Sequence, residues 1–508
     1  MMANLRLTSD TVNDVVFRLP SNNSMQGKSL VYDGTTSTWT VGSNLAGSTY
    51  VTVSPTGIAT GGTVANDGAD FGPDTPGTQT TGIQEAIDYL VFDNVGGENY
   101  ADGVLYDNLS ITTNHGAGVV LLLPGMFLQT AQINLKQGIQ LIGNGRLSTA
   151  ISLNPVAGSW LSSMVAQIYI PANENECLIQ GITVMGNRSS AFSAYQINGI
   201  EIEGYNWRPV VRDVEIQNQQ GMGLVTTGSS TGDNYVFEPL FDHVSVMTCT
   251  GNGMNFDYAA DDIMLECSVQ NCSQGGIRYN GGDGNWFKPH VYNNLWGITI
   301  AGAPVQIFAP ILDSNQQHGL IVDSVNQSIQ PGAIKIVLPL SQYNGSAAAN
   351  TYAGIYLHNA KNVIIYGHDA LNKTGFLTQA YALLEDGTSD YNTVIGGSIM
   401  NMTVTPSIVT VGAHTFISGV YGYTPGFGIT PPIATPVSGT AYTNNTGMRC
   451  RVWIATGSAS AVTITDVNNV AKTFTATLNP GYFATIEPGE QIAFTFSSMT
   501  WQWEAVNI

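Results

Sequence analysis

Residues 116–154 read GAGVVLLLPGMFLQTAQINLKQGIQLIGNGRLSTAISLN, and this stretch decides the fold. It holds four short apolar runs, Val119–Leu123, Phe127–Leu128, Ile139–Ile142 and Ile151–Leu153. None is long enough for an average helix. Ile133, Leu135, Ile139 and Leu141 alternate with polar residues as half-buried strands do, and Pro124-Gly125, Gln137-Gly138 and Gly143-Asn144-Gly145 force corners between them. Strands this short cannot bury a face alone, so they must stack on further copies.

Those copies follow. Gly223, Gly253, Gly276, Gly297 and Gly319 each precede an apolar alternation, at separations of 30, 23, 21 and 22 residues. Seven residues before each glycine lie Ile216, Val246, Val269, His290 and Leu312. A period near 22 with one Gly corner per repeat marks a solenoid of β coils. The longer gaps, including 35 residues from Gly319 to Gly354, predict loops inserted at corners. In register, Asn218, Thr248, Asn271 and Ser314 share one coil position, and Gln219, Cys249, Cys272, Asn293 and Asn315 the next. Stacked polar residues there would satisfy the bent backbone from coil to coil. Cys249 and Cys272 would sit about 4.8 Å apart. That spacing permits a disulfide, but stacked reduced thiols are the expectation.

Around the coils, the spacing predicts a helix over Thr81–Phe92, with Ile83, Ala86, Ile87, Leu90 and Val91 on one stripe. Such a helix would close the open end of a solenoid. Residues 1–65 read as a β region or extended arm, either docking the chain on a larger particle or merely decorating it. Residues 93–115 look like an insertion. The coils are expected over 66–428 and a Pro/Gly linker over 429–439. Residues 440–508 carry short strands with turn signals at Pro480-Gly481 and Pro488-Gly489, which suits a small antiparallel sandwich.

Composition narrows the function. The 36 acidic residues outweigh 16 basic ones, for a net charge of −20. A surface so poor in Lys and Arg argues against nucleic acid and anionic membranes. No apolar run reaches the length of a membrane span. The start, MMANLRLTSDTVNDVVF, lacks a basic segment followed by an apolar core, so no signal peptide is expected. The five cysteines are too scattered for a disulfide framework. Histidines at 243, 290, 318, 358, 368 and 414 fall singly, without metal spacing, and read as ladder residues; no metal site is expected.

The segments Gly118–Phe127 (GVVLLLPGMF), Leu135–Gly145 (LKQGIQLIGNG) and Ser148–Ile151 (STAI), preceded by Asp70-Phe71-Gly72 and Thr81–Asp88, also carry a resemblance. They resemble the opening of the pectate-lyase-like right-handed β-helix superfamily. The resemblance covers roughly residues 66–155. It implies an all-β chain: a right-handed parallel β-helix with a short N-terminal capping helix and a C-terminal antiparallel β-sandwich module. It implies little chemistry, because that superfamily spans lyases, hydrolases, epimerases, phage tailspikes and inert adhesive rods.

Superfamily lyases hold Ca²⁺ with carboxylates and abstract a proton with Lys or Arg, whereas the hydrolases use carboxylate pairs. The densest acidic patch here is Asp257, Asp261, Asp262 and Glu266, with Asp242 one coil earlier and Asp283 one coil later. Asp261-Asp262 is similar to the tandem aspartates of the polygalacturonase family, but that family's Gly-His-Gly and Arg-x-Lys motifs are absent, so its roles are not carried over. Arg278 and Lys288 are the nearest bases for a lyase, and only a lyase would call for Ca²⁺; otherwise no cofactor is expected. Trp207 and Trp286 sit in similar corner loops, suggesting one face about 14 Å long for stacking on a glycan, with Asp242 and Asp283 beside them. Against that stands the reading that each Trp caps a corner. Taken together, the resemblance and the failed catalytic motifs favour a virion or cell-surface spike. It would be a homotrimer binding host glycans through a β-helix flank, with residues 1–65 docking it to other virion proteins. A polysaccharide hydrolase or lyase, and an inert structural rod, are the alternatives.

Overall fold

The computed structural model describes residues 50–56, 69–92 and 118–506, together with four strands between residues 4 and 41. Breaks fall at 74, 76, 157, 190–191, 230–233, 302–303, 324–333, 374, 377, 413, 423–434 and 445–448. The expected insertion at 93–115, and most of the Pro/Gly linker, lie outside the described residues. The chain is a right-handed parallel β-helix with one N-terminal helix and a separate C-terminal antiparallel module. It divides into two compact units, 1–224 and 225–508.

In the first unit, Asn4–Leu7 pairs with Val15–Arg18 and Lys28–Tyr32 with Ser37–Val41, both antiparallel. The coils begin earlier than residue 66, because Tyr50–Val53 pairs in parallel with Gly118–Leu122. Three parallel ladders follow. The first continues through Ile139–Ile142, Leu178–Gln180 and Val210–Arg212. The second stacks Gly125–Gln129, Thr149–Leu153, Thr183–Met185 and Glu215–Gln217. The third stacks Ile133–Asn134, Ala166–Ile170 and Asn198–Glu203. The alternation read from the sequence sets the interior: Val120, Leu122, Phe127, Ile133, Ile139, Leu141 and Ile151 are all buried. The helix Ile83–Phe92 starts two residues later than expected. The Thr80 hydroxyl accepts the Gln84 N–H at 2.9 Å there, filling one orphan donor of its first turn. Ile83, Ala86, Ile87 and Leu90 are buried, and the Asn134 N–H donates to Gln84 Oε1 at 2.7 Å, so the helix is fastened to the coil it covers.

The second unit repeats the three ladders. One holds Leu240–Asp242, the ends of Met254–Leu265 and Gly275–Phe287, then Val305–Phe308 and Ile334–Val337. The next holds Ser245–Met247, Ser268–Gln270, His290–Tyr292, Ile311–Asp313 and Leu340–Gln342. The third runs from the starts of Met254–Leu265 and Gly275–Phe287 through Trp296–Ile300, Leu320–Asp323, Ala353–His358 and Tyr381–Asp386. The glycine period has a steric cause: a Cβ on Gly276, Gly297 or Gly319 would lie 2.6, 2.0 or 2.6 Å from the carbonyl oxygen of the glycine one coil on. The polar ladder is present with one correction. Asn294, not Asn293, joins Cys249, Cys272 and Asn315, because Tyr292 pairs with Gln270 and Asp313. The cysteines are buried free thiols.

In the C-terminal module, the long strands Cys450–Thr465 and Gln491–Ala505 pair along their length, interrupted by register shifts near Ile454–Thr456 and Ser458–Ala461. Phe483–Ile486 pairs with the first half of Cys450–Thr465 and Ala471–Leu478 with the second. Residues of both halves, Val452, Ile454, Val462, Ile486, Trp501 and Trp503 among them, share one core. Among the described residues no helix is long and apolar enough to cross a membrane.

Candidate functional site

Each coil of the second unit leaves its first ladder at a left-handed corner: His243 (φ 53), Glu266 (φ 46), Lys288 (φ 51), Ala309 (φ 51) and Leu338 (φ 52). That conformation is uncommon outside glycine. Ala309 and Leu338 adopt it as well, so the coil itself demands it. The residue before each corner faces out and the one before that faces in: Phe241, Met264, Trp286 and Ile307 are fully buried, whereas Phe287 is 41% exposed.

Between these corners lies a groove of about 350 Å³. Leu265, Phe287, Phe308 and Ala309 give it apolar surface, and Asp242, His243, Glu266 and Lys288 give it charge. The Phe287 and Phe308 rings stack one coil apart, 5.0 Å between centroids and 7° from parallel. The charges form a chain from coil to coil. Asp242 Oδ1 lies 2.6 Å from His243 Nδ1, His243 Nε2 lies 3.4 Å from Glu266 Oε2, and Lys288 Nζ donates to Glu266 Oε1 at 3.0 Å. The Lys288 hydrogen bond and charge hold the Glu266 carboxyl below the usual carboxylate range. Lys288 and Glu266 offset one another, and Asp242 has the His243 ring as its hydrogen-bonding neighbour. The arrangement suits an uncharged ligand that meets aromatic surface and a hydrogen-bonding border.

The other candidates are dispersed, because successive positions along a strand face opposite ways. Asp257 lies on the third ladder's outer face, paired with Arg278 at 3.0 Å and accepting from Asn280 and Asn255 at 3.1 and 2.9 Å. Asp261 is exposed, its N–H donates to Asp283 Oδ1 at 3.0 Å, and the Asp283 charge pushes its carboxyl up. Asp262 and Trp286 correct the sequence reading. Both are fully buried, with the Trp286 indole N–H donating to Asp262 at 2.6 Å and the Tyr279 hydroxyl at 2.7 Å. Burial pushes the Asp262 carboxyl up to about 7. A glycan reaches neither, so Asp262 is no surface acid and the two-tryptophan face is not formed. Trp207, in the first unit, is 45% exposed, and its backbone N–H donates to Asn175 at 2.8 Å.

Of the sequence-derived candidates, the groove thus gathers Asp242, Glu266 and Lys288. It adds His243, Phe287 and Phe308, which sequence reading missed. The signal was present: His243, Glu266 and Lys288 are spaced 23 and 22 residues apart, the coil period itself.

No family model matches the chain, and no curated protein is similar to it. Solved structures of similar build exist. The mannuronan C-5 epimerase A-module of Azotobacter vinelandii is 16% identical over 69% of this chain and 98% of its own, with a TM-score of 0.48. Gene product 12 of bacteriophage phi29 is 13% identical over 60% of this chain and 49% of its own, at 0.40. Tailspike protein 3 of bacteriophage CBA120 is 12% identical over 66% of this chain and 62% of its own, at 0.36. At these values the likenesses assign no residue a role.

Proposed function

We propose that this protein is a spike that binds glycans on a cell surface through the flank of its second unit. The groove carries the reading: stacked aromatic surface bordered by a hydrogen-bonded chain of polar side chains, open enough for a sugar or two. The same geometry weighs against the hydrolase and lyase alternatives at the acidic patch. Asp262 is sealed inside, and Arg278 and Lys288 are each engaged by a carboxylate. In this reading the residues ahead of Tyr50, where the first coil strand starts, dock the chain on a virion or similar particle, and three copies assemble.

The test is retention of a panel of neutral and acidic polysaccharides by the intact protein. Phe287→Ala should weaken retention about tenfold, the loss of roughly 1.4 kcal/mol of stacking. Trp207→Ala should leave it unchanged. The reverse pattern would move binding to the first unit and overturn the groove. Absence of retention across the panel would overturn glycan binding altogether. Light scattering of the intact protein tests the trimer.

A further inference from the structure

The third ladder of the second unit carries a separate cluster, away from the groove. The strand Ala353–His358 buries Ala353, Ile355 and Leu357 and turns Tyr356 and His358 outward. Parallel register sets Asp386 directly opposite His358 on one side and Asp323 opposite it on the other. His358 Nδ1 lies 2.5 Å from Asp386 Oδ1, the Tyr356 hydroxyl donates to Asp386 Oδ2 at 2.5 Å, and Tyr356 Oη is 3.2 Å from His358 Nδ1. Facing the carboxylate, Nδ1 is placed to donate, and the tautomer protonated there has its lone pair on Nε2. The side chain is 35% exposed, and among the described residues no partner engages Nε2.

The surroundings hold this arrangement in place. The His318 ring lies flat on Tyr356, 4.3 Å between centroids and 12° from parallel. His318 Nδ1 accepts the Ala353 N–H at 3.1 Å, and burial pushes its imidazole down to about 4, so it stays neutral. Burial and the Asp386 bond push the Tyr356 phenol up, which keeps it a donor. Among the described residues two more histidine–aspartate couples differ: both nitrogens of His243 face carboxylates, and His414 lies flat under Tyr391 at 4.4 Å.

We propose that His358 is the general base of an ester-hydrolysing site that removes O-acyl groups from a glycan. The choice of glycan as substrate rests on the function proposed above; the chemistry does not. An oriented base with a carboxylate behind it is the part water attack on an acyl carbon requires. Glycosidic cleavage would instead need two carboxyl groups about 5 to 9.5 Å apart flanking the bond. His358 Nε2 takes a proton from water as the water oxygen bonds to the acyl carbon and the carbonyl electrons move to its oxygen. The intermediate collapses, the bond from acyl carbon to sugar oxygen breaks, and that oxygen takes the proton back from Nε2. The products are a carboxylic acid and a free sugar hydroxyl, with no oxidant or reductant.

The test follows acetate release by the intact protein from an O-acetylated polysaccharide and, separately, from 4-nitrophenyl acetate. Both should be hydrolysed. His358→Ala should lower each rate about 100-fold or more, with partial rescue by added imidazole. Asp386→Asn should also lower it, by releasing the Nδ1 proton that fixes the tautomer. Tyr356→Phe, with its ring stack intact, checks that the coil still folds. Hydrolysis of neither substrate, or a His358→Ala rate equal to the parent's, overturns the proposal. Glycan retention by the groove without acetate release would sink this site and leave the binding function standing. Hydrolysis of the small ester without glycan retention would do the opposite.

Discussion

Asp262 shows how much one residue's direction decides. It belongs to the acidic patch that the sequence shows, yet it is buried where Asp261 is exposed, and the strand's register shift falls between Ala260 and Asp262. Trp286 likewise turns inward, paired with Met264 and Ile307, and Phe287 is the aromatic that faces out. Strand periodicity was legible, but the phase across a bulge is not written in any one residue. The buried carboxyl has a measurable consequence. Unfolded, Asp262 titrates at its ordinary 3.8; folded, it holds its proton to about 7. Between those values the folded state binds the proton that the unfolded state has released, so stability falls as pH rises and levels off above about 7. The slope approaches about 1.4 kcal/mol per pH unit. Asp262→Asn should remove that slope and match or exceed the parent's stability at pH 8, since Asn can accept from Trp286 and donate to the Tyr279 oxygen. Asp262→Ala leaves the Trp286 indole N–H without its acceptor, while the Tyr279 hydroxyl keeps the Ala259 carbonyl at 3.2 Å, and should cost about 1–3 kcal/mol. Urea unfolding from pH 4 to 8 reads both; an unchanged slope in Asp262→Asn would refute the assignment.

At the scale of elements, the coils were legible because their requirement is repetitive. Glycine recurs where a Cβ would strike the next coil's carbonyl, and polar residues recur where the backbone bends. The one-position error at Asn293 arose because counting from a glycine ignores small differences in corner length. The ladder itself is continuous. The Asn294 N–H donates to Asn315 Oδ1 at 3.2 Å, Asn315 Nδ2 donates to the Val291 carbonyl at 3.0 Å, and Asn344 Nδ2 donates to Gln379 at 2.9 Å. All four ladder side chains are buried. Asn315→Ala should therefore orphan a donor on one coil and an acceptor on the same coil's strand, at about 1–3 kcal/mol each with partial compensation by water. Ser314→Ala, one position earlier at the outward corner, should cost under about 1 kcal/mol. Native-state hydrogen exchange should show the amide of Asn294, whose N–H loses its Asn315 acceptor, losing protection first in Asn315→Ala. Uniform loss along the coils would mean that the ladder is not a local brace.

For the whole molecule, composition gave class and charge, while the sites had to wait for register. Lys288 and Glu266 meet across 22 residues, close to the basic period, but His358 and Asp386 meet across 28, and Asp323 and His358 are separated by 35. Corner loops of variable length hide such pairs from any fixed count, so the more regular part of the flank was the more readable. The global charge does yield a prediction. At a net charge of −20, long-range attraction to polyanions is absent, and the groove's one lysine is paired with Glu266 at contact distance. Stacking on the Phe287–Phe308 surface carries no charge for salt to screen, whereas repulsion beyond about 10 Å is damped at roughly 0.1 M salt. Retention of a neutral glycan should thus change less than about twofold between roughly 0.05 and 0.5 M NaCl. Retention of an acidic glycan should rise over the same range as repulsion is screened, and duplex DNA should pass unretained throughout. Affinity chromatography at the two salt levels separates these cases. A steep fall with salt for a neutral glycan would mean that unpaired charges, and not the Phe287–Phe308 surface, hold the ligand.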